Sequence, residues 1–190
     1  MKLLLSVGAF LSVTCFAATP TFHKDIAPIL QKNCESCHRP GQIGPMSLVG
    51  YQNARPWAKA IRAAVLSRKM PPWFADPKYA HFANDRRLSV ADINTITAWA
   101  DSGAPEGDAK DKHGPAQWKD GWNIVPDLTI EMPVSYDIPN TGTLEYTYFL
   151  APIQFKEDTW VTMGEMRPGA RANVHHAIAY VRPQIGRAHV

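Results

Sequence analysis

Two cysteines and a histidine stand together near the start of the chain, in the segment Cys34-Glu35-Ser36-Cys37-His38. One turn of helix would place Cys34 and Cys37 on the same side, with the imidazole of His38 beside them. Two thiols at this spacing, followed at once by a histidine, form the attachment signature of c-type haem, in which both sulfurs bond to the haem and the imidazole binds its iron. The motif therefore predicts a covalent haem site with His38 as the proximal iron ligand.

The same cysteine spacing occurs in redox-active and zinc-binding proteins. A thioredoxin-like motif is expected at the end of a strand in a βαβ unit, and a zinc site needs two further ligands at matching spacing. Neither pattern is visible around Cys34, and the third cysteine, Cys15, lies in a predicted leader segment. The sequence therefore favours haem over a disulfide or zinc.

A methionine at a proline corner is the predicted second ligand of the iron. Met70 precedes two prolines, which cannot continue a helix and which hold the preceding residue in an extended conformation. A thioether opposite histidine raises the reduction potential of low-spin haem. Met70 is therefore predicted as the distal ligand, with Met46 and His81 as alternatives, although a lone methionine is ordinarily a core residue. Two protein ligands would close the iron to substrate and suit it to electron transfer.

Three helical patterns are predicted to position these ligands. Apolar residues recur at helical spacing from Thr21 to the cysteine motif, over residues 51–69 and over residues 89–101. The serine that opens the third pattern is followed three residues later by an aspartate, as in a capping box. Residues 39–46 are rich in glycine and proline and are predicted to form a loop on the proximal side of the haem.

Charge and the N-terminal segment limit the location and partners of the protein. The 190 residues carry a formal charge of +3 spread along the chain, which gives no basis for a nucleic-acid partner.

A signal peptide is predicted over residues 1–18. It has Lys2 near its start, an apolar run too short to span a bilayer, and two small residues at its end. The mature chain is therefore predicted to be periplasmic or secreted, without a transmembrane segment. Bacterial export fits haem c, which is attached beyond the inner membrane.

The apolar pattern changes after Trp122 from helical to alternating. Strand candidates lie at residues 128–132, 144–148, 160–163 and 174–181. They follow a linker at residues 108–126, rich in Gly, Asp, Lys and Pro. The predicted fold class is a mainly α cytochrome c domain followed by an incomplete antiparallel β-sandwich.

The order of first helix, C-x-x-C-H, methionine corner and last helix resembles a class I cytochrome c. The resemblance is closer to the cytochrome c module of bacterial multidomain proteins, and it is carried by residues 34–41, 55–61, 70–73 and 99–107. In those proteins the module precedes a copper type II, ascorbate-dependent monooxygenase-like region. The resemblance implies a cytochrome c domain at residues 19–107 and the start of a copper-monooxygenase-like β-sandwich at residues 127–184.

The resemblance also implies a copper role for His175 and His176. In peptidylglycine-type monooxygenases an adjacent histidine pair of the first sandwich binds one of two coppers, and imidazole suits copper. Neighbours on a regular strand face opposite ways, so joint ligation needs a twist or bulge; otherwise one ring packs inside and the other meets solvent. The remaining copper ligands of the family would lie beyond residue 190. Residues 185–190 resemble a translated sequencing adapter, which would make His189 meaningless and the chain a gene fragment.

These patterns predict an exported c-type cytochrome that exchanges single electrons with a redox donor or acceptor protein or domain. The resemblance makes it the N-terminal part of a haem-fused copper monooxygenase, with no complete catalytic site within these residues. Two alternatives stay open. One is a haem-based sensor, which requires an open sixth position on the iron, and the other is an electron carrier with a non-catalytic β appendage.

Overall fold

The computed structural model describes residues 18–119, 121–153 and 155–181. All but the last residue of the predicted signal peptide, including Cys15, lies outside the described residues. So do the predicted artefact at residues 185–190 and, within it, His189. Among the residues described, no helix is both long and apolar enough to cross a membrane.

The chain divides into two compact units. The described part of the first unit comprises residues 18–33 and 50–113. That of the second comprises residues 34–49, 114–119, 121–153 and 155–181. The C-x-x-C-H motif and the loop that follows it therefore belong to the second unit, whereas the chain on either side of them belongs to the first.

Short helices form the first unit, and they begin where the sequence predicts. A π-helical turn, Phe22–Ile26, continues directly into α1, Ala27–Asn33. Helix α2, Tyr51–Ala54, continues through a 3-10 turn, Arg55–Trp57, into α3, Ala58–Leu66. The predicted second helix is thus confirmed in position but stops three residues before residue 69.

Helix α4, Val90–Asp101, has both of the ends that its sequence predicts. Its N-cap Ser89 accepts a hydrogen bond from the backbone N–H of Asp92 at 3.0 Å, which satisfies one of the amides left open at a helix start. Its C-terminal end turns through Gly103, whose φ of +88° is a left-handed conformation that glycine adopts without strain. Helix α4 packs against α3 and against the π-helical turn.

Trp99 of α4 is completely buried at the centre of the first unit. Its ring packs against Phe22, which in turn meets Tyr51 edge-on at a centroid distance of 5.5 Å. The indole N–H of Trp99 donates to the carbonyl of Pro105 at 3.0 Å, and the Tyr51 hydroxyl donates to the carbonyl of Ala104 at 3.0 Å. The residues after α4 are therefore held by side chains from two helical segments.

The predicted β-sandwich is wrong. The described residues of the second unit contain no strand, and their one helical element is a 3-10 turn, Arg171–Asn173. Leu128, Ile130 and Met132, whose alternation predicted the first strand, are 54, 47 and 53% exposed. Alternating residues become a strand only when a neighbouring segment pairs with the backbone and covers the apolar face, and this part of the chain supplies neither.

Only 28% of the described residues are helical, so the described chain is mostly non-helical and the mainly α description does not hold for it as a whole. A carboxylate joins two segments of the second unit that are distant in the sequence. In the second unit, Glu165 accepts hydrogen bonds from the backbone N–H of Asn123 at 2.7 Å and of Ile124 at 3.2 Å. Desolvation raises the pKa of Glu165, but these hydrogen bonds, a further one from the Asn123 side chain and the charge of Arg167 together hold the pKa below its usual value.

Trp99→Ala is expected to lower the free energy of unfolding by roughly 3–5 kcal/mol, because it removes a fully buried ring and leaves a cavity. Trp99→Phe is expected to lower the free energy of unfolding by less, since it keeps much of the aromatic ring and loses chiefly the hydrogen bond to Pro105. Urea unfolding followed by far-UV circular dichroism measures both changes. Trp160→Ala is the control, because Trp160 is 96% exposed; equal losses for the two alanine variants would contradict the assigned core.

Candidate haem site

Cys34, Cys37 and His38 lie together in one turn of the second unit. The carbonyl of Cys34 accepts hydrogen bonds from the backbone N–H of Cys37 at 3.0 Å and from that of His38 at 2.9 Å. Hydrogen bonds to one carbonyl from the amides three and four residues later define a helical turn. The three side chains therefore leave the backbone on the same side. Both cysteines are thiols and both are half-buried. The structure therefore groups the predicted attachment residues with the predicted proximal ligand.

The imidazole of His38 is oriented by a backbone carbonyl. Its Nδ1 lies 3.2 Å from the carbonyl oxygen of Met46. Because a carbonyl can only accept, this contact is a hydrogen bond when Nδ1 carries the proton. The lone pair of the neutral ring then lies on Nε2, which is the arrangement found in metal-binding histidines whose other nitrogen donates to a carbonyl. His38 is thus prepared to bind a metal through Nε2.

A closed loop brings the Met46 carbonyl to the ring. Gly44 donates its backbone N–H to the carbonyl of Cys37 at 2.8 Å, and Leu48 donates to the carbonyl of His38 at 2.9 Å. Leu48 is buried, which anchors the end of the loop. Residues 39–47 therefore leave the motif and return to it. The sequence predicts a loop here, but it does not reveal the parts played by Gly44 and by the Met46 carbonyl.

Arg39, the residue after the proximal histidine, contacts a tryptophan far along the chain. Its guanidinium carbon lies 4.4 Å from the centre of the Trp118 ring, a cation–π distance worth about 0.5–2 kcal/mol. The Nε of Arg39 is buried, and no hydrogen-bond partner for it occurs within the described ranges. The sequence gives no signal for this pair, because nothing in either local pattern points to the other residue.

Glu35 lies between the two cysteines and is only 3% exposed. Burial removes water from its carboxyl group and raises its pKa above the ordinary value. The folded chain therefore binds the Glu35 proton more tightly than the unfolded chain does. Sequence reasoning missed this residue, since an acidic residue inside C-x-x-C is ordinarily read as a solvent-facing spacer.

Met70, the predicted distal ligand, lies in the first unit at the proline corner that the sequence predicts. Its backbone N–H donates to the carbonyl of Ala64 at 3.3 Å, and a cis peptide bond joins it to Pro71. The Met70 side chain is 38% exposed and borders a small cavity of about 40 Å³ that Trp73 also lines. Met70 is therefore not a core residue. Ligation of iron by Met70 stays a prediction.

The two alternative distal ligands lie in different units of the chain. Met46 is in the second unit, and its backbone carbonyl contacts Nδ1 of His38. His81 is exposed in the segment between α3 and α4 of the first unit. Both stay alternatives to Met70.

His175 and His176 are adjacent, exposed and stacked. Their ring centroids are 4.3 Å apart and the ring planes differ by 6°. Nitrogen lone pairs lie in the plane of each ring, so two parallel rings do not converge on one metal ion unless one of them rotates. In the described part of the chain, no group of three or more histidine, cysteine or acidic side chains could hold a metal. A copper role for this pair stays a prediction.

Comparison with protein-family models, with curated proteins and with solved structures gave no match. The interpretation of this site therefore depends on the motif and on the local geometry around His38.

Glu35→Gln is expected to stabilise the fold at neutral pH. A carboxyl whose pKa is raised by folding stabilises the native state most when it is protonated, and that contribution is lost as pH rises through the raised pKa. The glutamine variant should therefore unfold at a higher urea concentration than the parent at pH 7. The difference should vanish below the ordinary glutamate pKa of about 4.3. Glu145→Gln, at an exposed position, should show no such difference; equal behaviour of both variants would contradict the assigned burial.

Proposed function

We propose that this chain binds haem covalently through Cys34 and Cys37, uses His38 as an axial iron ligand, and transfers single electrons. One observation carries the proposal. The histidine that follows C-x-x-C has its Nδ1 hydrogen-bonded to the Met46 carbonyl at 3.2 Å, which leaves Nε2 for the iron.

The two thiols suit covalent attachment. Each thiol would add across one vinyl group of haem, with the sulfur bonding to one vinyl carbon and the hydrogen to the other, so the addition needs neither an oxidant nor a leaving group. Cys34 and Cys37 lie in one turn and are not joined in a disulfide. The addition requires both sulfurs as thiols.

The chain's own groups would also set the behaviour of the bound iron. Haem supplies an iron that alternates between the ferrous and ferric states. A hydrogen bond to the Met46 carbonyl makes the His38 imidazole a stronger electron donor, which favours the ferric state. A thioether at the sixth position favours the ferrous state. The balance of the two would define the reduction potential.

The proposed partners are a protein or domain that donates electrons and one that accepts them. If Met70 fills the sixth position, no open site is left on the iron, and exchange of electrons with another redox centre is the chemistry that remains. A haem-based sensor is the alternative, and it differs by having that position open. The predicted leader at residues 1–18 places the proposed activity outside the cytoplasm.

Replacement of both cysteines by serine is expected to abolish covalent haem. The serine hydroxyl does not form the thioether, so Cys34→Ser with Cys37→Ser should yield a chain that loses all haem absorbance after denaturation and gel filtration. Ser36→Ala alters one of the two residues between the cysteines without removing a thiol and should keep the haem. Haem that stays with the denatured double variant would refute the attachment.

Met70→Ala tests the sixth ligand. The expected result is loss of the low-spin spectrum, a lower reduction potential and binding of carbon monoxide by the ferrous protein, because the variant has an open coordination position. Met132→Ala, at another exposed methionine, should behave as the parent does. A Met70→Ala spectrum identical to that of the parent would contradict ligation by Met70. Met46→Ala and His81→Ala would then test the two alternatives, and carbon monoxide binding by the parent would favour the sensor.

A further inference from the structure

We infer that Gly44 is a positioning residue for the proximal histidine, because the absence of a side chain at this position lets the loop close against the His38 ring. The inference rests on the proposed haem function and extends it to the control of the iron ligand. Gly44 has no side chain that could itself react or bind a ligand.

Space around Gly44 is too small for any side chain. A Cβ added there would lie 2.6 Å from the carbonyl oxygen of Cys37 and 2.7 Å from Nδ1 of His38. It would also lie 2.9 Å from the Cα of His38. All three distances are below 3.0 Å, which Cβ atoms in proteins essentially never show. Two of these atoms belong to the backbone. Movement of a flexible side chain would therefore not relieve these contacts.

The requirement at Gly44 is for space and not for backbone conformation. Gly41, in the same loop, has a φ of +76° and open space where its Cβ would be. Gly44 shows the opposite combination, since it is not among the glycines with positive φ. An alanine at position 44 would therefore be compatible with the backbone angles and would fail only by contact with its neighbours.

An alanine at position 44 would press on the turn as well as on the ring. The Cys37 carbonyl and the Cα of His38 are backbone atoms of the turn, so the loop has to withdraw from them, and the ring can rotate away. Either movement would lengthen the 3.2 Å contact between Nδ1 and the Met46 carbonyl. Loss of this hydrogen bond makes the imidazole a weaker donor to iron, which favours the ferrous state.

The test compares Gly44→Ala with Gly169→Ala in the full-length, haem-loaded protein. Gly169 has open space around it and no positive φ, so its alanine variant controls for the added methyl group. Gly44→Ala is expected to keep its covalent haem and to show a higher midpoint potential than the parent. The His38 Nδ1 proton, followed by NMR in the reduced state, should exchange with solvent about five- to tenfold faster, as loss of one hydrogen bond implies. Gly169→Ala should match the parent in both measurements.

The outcomes separate the inference from the proposed function. An unchanged potential and an unchanged Nδ1 proton in Gly44→Ala would overturn the positioning role while the haem function stands. A parent protein without covalent haem would overturn the proposed function, and the inference with it.

If Gly44→Ala is exported without haem, urea unfolding distinguishes a defect at the ligand from a general folding defect. Comparison with the haem-free Cys34→Ser, Cys37→Ser chain would support the inference if both unfold at the same urea concentration, because the defect then lies at the ligand. A lower midpoint for Gly44→Ala would show a general folding defect and would overturn the positioning role.

Discussion

The buried indole of Trp99 is the constraint on which the first unit depends. Its N–H donates to the carbonyl of Pro105, and the same carbonyl accepts from the backbone N–H of Phe22 at 2.9 Å. One oxygen thus joins the end of α4 to the start of the N-terminal helical segment. A buried carbonyl left without a donor costs free energy, so the two hydrogen bonds and the packed rings support each other. The segment held in this way carries the chain to Asn33, the residue before the cysteine motif.

Helices were predictable from the sequence and strands were not, for a physical reason. The hydrogen bonds and caps of α4 join residues within a few positions of one another, so Ser89 and Gly103 mark its ends in the sequence itself. A strand depends on a partner that the alternating pattern does not identify. Exposure of Leu128, Ile130 and Met132 follows from the lack of such a partner within the described residues. The alternating pattern indicates a tendency to form a strand, but it does not identify the segment that would pair with that strand.

The same distinction applies to the candidate site, part of which could be predicted from the sequence and part of which could not. Cys34, Cys37 and His38 could be read from the sequence because the side chains that carry the chemistry lie within five positions. The Met46 carbonyl could not, since every residue has a carbonyl and only the closure of the loop brings this one to the ring. Gly44 and the contact between Arg39 and Trp118 likewise depend on the folded path of the chain. Side-chain chemistry was predictable, and the backbone that orients it was not.

The grouping of residues 34–49 with the second unit has a consequence for recombination between genes. The chain passes from one unit to the other three times, after Asn33, after Val49 and after His113. Neither unit is therefore encoded by one uninterrupted stretch of the described chain. A crossover at position 113 would pass on the C-x-x-C-H motif without Trp118, the aromatic partner of Arg39. The two units are thus expected to be inherited together, and exchange of either one as a cassette would break contacts inside the other.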